Sequence, residues 1–526
     1  MSAQLDLLLI NPGAREVTYQ DLGAELTAIE PPLWCRLLGG YIQDRGHSID
    51  ILDSEAENKG PEAVAREVHD RHPRLVAMVV YGHQPSASTQ QMAGASTAIE
   101  AIKRLDPSQK IVIVGGHVAA LPERTLNEEA ADYACNSEGP ITIHQLLEAL
   151  DAGSSADLSK VEGLVFRENA GRENGGVRQN PAPAMVKDLD ALHGNVWHLL
   201  PMPRYRAHNW QCFGDLASRQ PYASIYTSLG CPYKCTFCCI NAPFGGNRYR
   251  MRKPEAVVEE VDFLYRTYGV KTYKIIDEMF VLNDRHVSGI CERLAAKPYA
   301  SELNFWAYAR VDTVRPERLA LLRSAGIRWL ALGIESGSKH VRDGAEKSLD
   351  HDDIVQIVAA IKDAGINVIG NYIFGLPDDD FASMQETLQL AKDLNCEFAN
   401  FYSAMAYPGS PLYTMAVRQG WELPQRWSGF SQHSYDCTPL PTEKVSAAEV
   451  LHFRDNAFHD YFANPMYLDM VSHKFGGETR RHIEVMTATR LRRALLEHGI
   501  EQGGMGGPRT SPPPNPNAAL NILSAR

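Results

Sequence analysis

The sequence predicts an α/β protein made of two sheet-based units followed by a smaller, mainly helical region. Three observations carry this. Over residues 1–150, short apolar runs rich in β-branched residues alternate with amphipathic stretches, the rhythm of a doubly wound, Rossmann-like parallel sheet. The alternation resumes at 221 and runs through six strand signals to 420, as a partial (β/α)6, TIM-like barrel requires. Beyond 420 the strand signals stop and aromatic-rich helical periodicity replaces them.

In the first unit, strands are expected at Leu5–Ile10, Ser48–Leu52, Leu75–Tyr81 and Lys110–Val114, with helices over 60–72 and 89–105. Ligands of such sheets sit at the carboxyl ends of the strands. There the chain places Asn11-Pro-Gly13, Gly82-His-Gln-Pro-Ser86 and Gly115-Gly-His117, whose glycines either admit a bulky ligand or simply make turns. Residues 151–220 are turn-rich around a short strand, Gly163–Arg167, and read as an ordered connector. In the second unit, over 221–420, the expected strands are Ala223–Thr227, Thr272–Asp277, Asn304–Ala309, Trp329–Ile334, Asn367–Phe374 and Glu397–Phe401. Polar residues at their ends then line the barrel mouth. Residues 421–500, with Trp421, Trp427, Phe430, Tyr435, Phe453, Phe458, Tyr461 and Phe462, read as a cap whose aromatics suit either substrate contacts or an ordinary core. The Gly/Pro-rich stretch 501–526 reads as a disordered tail.

Composition narrows the function. With 526 residues and 44% hydrophobic content the chain can fill more than one core. A formal charge of −12 without a Lys/Arg block gives nucleic acid no electrostatic footprint, so a small-molecule substrate is expected. The N-terminus lacks the pattern of a signal peptide and no apolar run approaches ~20 residues, so the expectation is a cytoplasmic protein without a membrane partner. A reducing compartment keeps Cys35, Cys135, Cys212, Cys291, Cys396 and Cys437 as free packing residues.

The segment Leu229-Gly-Cys-Pro-Tyr-Lys-Cys-Thr-Phe-Cys-Cys-Ile240 gathers Cys231, Cys235 and Cys238 within eight residues. Three thiolates on one short loop suit a cubane iron–sulfur cluster with one iron left open to a small molecule. A zinc site with a distant fourth ligand, or with Cys239 as the fourth, is the alternative. It is disfavoured because no second Cys pair or His pair accompanies the first.

The C-x3-C-x2-C spacing, with Phe237 just before its last Cys, resembles the radical S-adenosylmethionine (SAM) superfamily. That resemblance implies a 4Fe-4S cluster on Cys231, Cys235 and Cys238, whose open iron chelates SAM. By the same resemblance, Glu335 and Lys347 help to hold SAM, Gly375-Leu-Pro377 shapes the closing region of the barrel, and Asp277 and Arg310 face the site as catalytic residues. Gly245 and Gly246, after the cysteine loop, either let SAM approach the backbone or simply end the loop; a ring of salt bridges between strand ends is the structural alternative for the polar residues.

Ile10-Asn-Pro, Pro31-Pro-Leu-Trp, Gly46–Asp53, Gly115-Gly-His with Ala120-Leu-Pro-Glu123, and Glu138-Gly139 resemble the cobalamin-binding domain that precedes many radical SAM domains. Cobalamin contacts are thereby implied for Asn11, Gly82, His83, Ser86, Gly115, Gly116, His117 and Glu138. The Asp-x-His-x-x-Gly signature is absent after the first strand, which leaves open what faces the lower side of the cobalt. His83 and His117 lie on the right edge of the sheet, where a loop histidine also serves as a hydrogen-bonding residue. The resemblance implies a cobalamin-dependent radical SAM methyltransferase that modifies an unactivated carbon, or phosphorus, of a small natural-product intermediate and draws electrons from a flavodoxin- or ferredoxin-type donor. An oxidative cyclase or ring-contracting enzyme is the alternative within the family. A corrinoid-binding sensor with a degenerate barrel is a distant one, against which the intact cysteine triad argues.

Overall fold

A computed structural model describes residues 4–13, 15–20, 27–153, 157–168 and 176–497. The proposed tail 501–526, the first three residues and most of the turn-rich stretch 168–176 lie outside the described residues.

The first sheet contains β1 (Leu7–Asn11), β2 (Ile49–Asp53), β3 (Leu75–Val79), β4 (Ile111–Val114), β5 (Tyr133–Cys135), β6 (Leu164–Arg167) and β7 (Val177–Gln179) in the order β2-β1-β3-β4-β5-β6-β7. Strands β1 to β5 are parallel. All five residues of β1 are buried, as a parallel strand covered on both faces requires. Leu7 and Leu9 pack with Leu37, Leu38, Ile143 and Leu146 on one face, while Leu8 and Ile10 pack with Val64, Val68, Ile99 and Ile102 on the other. The expected connector does more than join. Its residues form β6, which pairs antiparallel with the three-residue β5, and β7, which pairs antiparallel with β6, so the edge of β5 does not stand open.

The second sheet runs β15-β14-β13-β12-β11-β8 and is parallel throughout. Its strands are β8 (Tyr222–Ile225), β11 (Thr272–Ile275), β12 (Asn304–Arg310), β13 (Ile327–Glu335), β14 (Asn367–Phe374) and β15 (Phe398–Ser403). A small hairpin, β9 (Ser228–Leu229) with β10 (Arg250–Met251), brackets the cysteine loop. The period of two along each strand divides the concave face by height. At the amino-terminal end, Trp306, Trp329 and Ile369 form a plug with Trp210, which the connector inserts edge-on at 5.2 Å from Trp306 and 5.4 Å from Trp329. Two to six residues further along the same strands, Tyr308, Arg310, Gly333, Glu335, Asn371 and Ile373 line a cavity.

The aromatic helices after 420 resolve the choice left by the sequence. Phe453 packs on Phe374, Tyr461 on Phe401 and Phe462 on Phe398, so these are core aromatics laid against β14 and β15. Among the described residues no helix is long and apolar enough to cross a membrane.

A buried ion cluster fixes one sheet against the other. From the helix Leu33–Gln43, Arg36 donates to Glu260 at 3.1 Å and to the carbonyl of Ser224 on β8 at 2.8 Å. Arg252 donates to the other Glu260 oxygen at 2.6 Å, and Trp197 lies under the Arg36 guanidinium. Burial pushes the Glu260 carboxyl up, but the two guanidiniums outweigh it and hold the group below its usual range. Glu260→Ala would strand two buried cations, and it is expected to lower the unfolding free energy by about 3–5 kcal/mol. Urea denaturation checks this; a midpoint unchanged from wild type would show that the cluster does not hold the domains.

Candidate active site

A cavity opens where the carboxyl ends of the two sheets face each other. The first sheet contributes Trp34 and the β3 loop from Tyr81 to Ser86, with Gly116 beyond β4. The barrel contributes the cysteine loop, the concave-face residues named above and Glu278; Tyr402 to Met405, Tyr407 and Gln432 close it.

The cysteine loop enters through Gly230, whose φ of +87° lies in the left-handed region and where any side chain would run into the Arg248 carbonyl. Asn241 then donates to the Cys231 carbonyl at 3.0 Å, and the Cys238 amide donates to Cys235 O at 3.1 Å. Cys231, Cys235 and Cys238 are half-buried and reach the cavity, whereas Cys239, which also touches it, is buried. All are free thiols. Burial pushes the Cys231 thiol up to about 11 and Cys238 well above its ordinary value, so without a metal both hold their protons. Among the described residues no three His, Cys, Asp or Glu side chains gather tightly enough for a single metal ion. Arg310 is held by Asp312 at 2.9 Å and lies over the Tyr233 ring, which aims Nη1 at Cys235 Sγ, 3.4 Å away.

Asp277 and Glu278 follow one another past the end of β11 and do different work. Asp277 accepts from the Thr227 amide and from Ser228 Oγ, each at 2.6 Å, and from Thr227 Oγ1; it is buried and does not line the cavity. Glu278 faces the cavity and accepts from the Gly230 amide at 3.2 Å. Burial, reinforced by the charge of Asp277, pushes its carboxyl up to about 8. The sequence pointed to Asp277 for the role; alternation at a strand end sends neighbours to opposite sides, and no periodic signal extended far enough past β11 to favour Glu278 instead.

Glu335 and Lys347 are both buried and form an ion pair within the cavity wall. Glu335 has φ +67°, a strained setting for a non-glycine residue that closes β13. A side chain at Gly333 would collide with both members of the pair, so glycine there keeps the cradle open.

The other expected contacts divide. Gly82, His83, Ser86 and Gly116 line the cavity. Asn11 instead donates to Asp53 at 2.8 Å. Gly115 presses against the Val80 carbonyl, where only glycine fits. His117 is 1% exposed, bonded to Thr89 at 3.1 Å and packed edge-on against Trp427. Glu138 pairs with Arg250 at 2.7 Å, a second tie between the two sheets. Gly245 belongs to a separate recess beside Glu138, and Gly246 is not in the cavity wall. Gly375, at φ +79°, packs against Val450 and is likewise not in the wall. Sequence reasoning missed Tyr308, Tyr402, Tyr407 and Gln432, because aromatic and amide residues on strands and loops carry no spacing signal.

Residues 225–391 match the model of the radical SAM superfamily, and residues 19–147 match that of the B12 binding domain. The chain belongs to the cobalamin-dependent radical SAM family. An uncharacterized methyltransferase of Pyrococcus horikoshii is 28% identical over 428 residues, covering 81% of this chain and 86% of the relative. An anaerobic magnesium-protoporphyrin IX monomethyl ester cyclase of Rubrivivax gelatinosus is 24% identical over 519 residues, covering 96% and 86%. The fold is shared with the radical SAM methyltransferase TsrM of Kitasatospora setae, solved with cobalamin and a 4Fe-4S cluster, at a TM-score of 0.65, 19% identity and coverage of 88% and 90%.

The cofactors of this cobalamin-dependent radical SAM enzyme are a 4Fe-4S cluster, SAM and cobalamin. The cavity residues fit them. Half-buried free thiols converge on it from one loop, a glycine-cleared cradle lies beside Glu335, and a buried ring nitrogen without a partner, His83 Nδ1, stands in its wall.

Glu278 makes one pH prediction for the cofactor-free protein. Folded, it keeps its proton up to about pH 8, whereas the unfolded chain releases it near 4.5. Between those values the folded state binds more protons, so Glu278 lowers stability as pH rises through that window and leaves it reduced above. Glu278→Gln stays neutral throughout. Unfolding measured from pH 5 to pH 9 is expected to show the variant gaining on wild type as pH rises, and a constant difference would contradict the assignment.

Proposed function

We propose that this enzyme is a methyltransferase acting on an unactivated carbon, or phosphorus, of a small molecule. One observation supports it above the others: the strand-end loops of the first sheet and the cysteine loop of the second open onto the same cavity, so two cofactors and a substrate can meet. In this reading Cys231, Cys235 and Cys238 bind the cluster. Glu278 and the Glu335–Lys347 pair hold the polar end of SAM, and Gly82, Ser86 and Gly116 receive the corrinoid. Arg310, through its contact with Cys235, stabilises negative charge on the cluster sulfur and is a positioning residue. Trp34, Phe237, Tyr308, Tyr402 and Met405 bound the apolar space left for a substrate and keep water from a reactive radical. When bound, the cluster and SAM supply a 5′-deoxyadenosyl radical and cobalamin supplies the methyl group. An external flavodoxin- or ferredoxin-type donor reduces the cluster.

The cyclase relative, aligned along 96% of the chain, supports a second reading as an oxidative cyclase or ring-contracting enzyme. Cofactor products separate the two. With SAM labelled in its methyl group, the methyltransferase reading expects labelled product, with S-adenosylhomocysteine and 5′-deoxyadenosine formed in roughly equal amounts. Deoxyadenosine and turnover without label or S-adenosylhomocysteine would overturn it in favour of the cyclase.

The ligand assignment has its own test. Anaerobically reconstituted wild type is expected to hold about four irons per chain. Cys231→Ala, Cys235→Ala and Cys238→Ala should each abolish SAM cleavage, whereas Cys239→Ala should retain both iron and cleavage. An indispensable Cys239 would refute the assignment.

A further inference from the structure

Lys274, on β11, is 3% exposed and lies outside the cavity wall. Its Nζ is 4.8 Å from the centre of the Trp306 ring, and both hydrogen bonds that its ammonium donates cross to the first domain, to Glu30 Oε1 at 3.1 Å and to the His83 carbonyl at 3.0 Å. An ammonium is costly to bury even when it is paired, and a methionine beside Trp306 would pack without that cost. The reason for a lysine here is therefore sought in what it holds.

Its two acceptors lead to two segments that the first domain sends to the cavity. Glu30 is followed by Pro31 and Pro32, whose rings fix φ, and then by Leu33 and the cavity-lining Trp34. The Glu30 carboxylate is gripped from a second barrel strand as well, since Ser224 Oγ on β8 donates to Oε2 at 3.1 Å. His83 belongs to the loop Gly82–Ser86 after β3, which lines the cavity. Ala87 donates to Gln84 O at 3.0 Å and Ser88 to Pro85 O at 3.4 Å, both inside the turn that leads into the next helix. Among the described residues the bond from Lys274 is the one that ties the backbone of this loop to the barrel. Trp34 stacks on Tyr81, next to Gly82, at 3.9 Å, so the two segments are also joined to each other.

We infer that Lys274 is the positioning residue of the corrinoid-binding wall: a cation of the barrel, not of the B12-binding domain, fixes Trp34 and the Gly82–Ser86 loop where they receive cobalamin. The inference rests on the reading above in which Gly82, Ser86 and Gly116 receive the corrinoid. A loop that can leave this place binds more weakly, by the fraction of time it is away, so corrinoid affinity becomes a property of both domains.

Titration of hydroxocobalamin into the reconstituted full-length protein tests it without turnover. Lys274→Met alone would leave Glu30 buried and unpaired, so the informative variant combines Lys274→Met with Glu30→Gln and strands no charge. Its Kd for hydroxocobalamin is expected to rise about tenfold, the loss of one charge-assisted hydrogen bond, while iron content and the urea midpoint stay at their wild-type values. Wild-type affinity in this double variant would overturn the assignment. A weakened affinity accompanied by lost iron or a lowered midpoint would overturn it too, because it marks a general structural role. Either result leaves the corrinoid site itself intact, whereas wild-type protein that fails to retain hydroxocobalamin would overturn both the site reading and the inference.

Discussion

Glu260 is the point on which the two sheets are aligned. It accepts from Arg36 of the first unit and from Arg252 of the second, and all three side chains are at most 2% exposed. Buried ion pairs of this kind contribute little net stability against apolar replacements, since desolvation offsets most of their attraction. What they supply here is direction. Arg36 has several donors and a fixed planar fork, and Glu260, the Ser224 carbonyl and the Gly194 carbonyl take them in one geometry only. A greasy interface would tolerate sliding by a residue. A slide of that size would carry the β3 loop away from the cysteine loop, and the cavity exists only where these meet.

The second sheet uses its strand alternation economically. The same face of β12 and β13 carries indoles at one end and Arg310, Gly333 and Glu335 at the other, so the floor of the cavity is a plug of tryptophan. Lys274 sits at the boundary, 4.8 Å above the Trp306 ring, and reaches up to Glu30 and to the His83 carbonyl. The floor of the barrel thereby supports the wall contributed by the other domain. Trp210, which completes the plug, comes from the segment that joins the domains.

The strands were legible because parallel strands buried on both faces are mostly apolar: β1, β3 and β4 carry at least four apolar residues in a row, and these three and all six barrel strands lie within two residues of their expected ends. β5 was not legible: three residues, Tyr133–Cys135, are too few to form a pattern. Nor was the role of β6 and β7, since pairing across an edge depends on what lies beside it in space. In the site, the cysteines were legible from spacing alone. Glu138 and Asn11 sit at strand ends like true contacts, but each found a partner, Arg250 and Asp53, distant in sequence. Exposure to the cavity is a three-dimensional property, and it separates Glu278 from Asp277 and His83 from His117 when composition and position do not.

The electrostatics of the wall follow from the same burial. Each cation near the cavity is matched before any cofactor arrives: Arg310 by Asp312, Lys347 by Glu335, Lys274 by Glu30. Each unmatched acid is kept neutral, the Cys231 and Cys238 thiols and the Glu278 carboxyl by desolvation. The cavity wall thus presents matched ion pairs and neutral acids. Metal binding requires thiolates, so iron held by Cys231 and Cys238 would have to displace the protons that burial keeps on them.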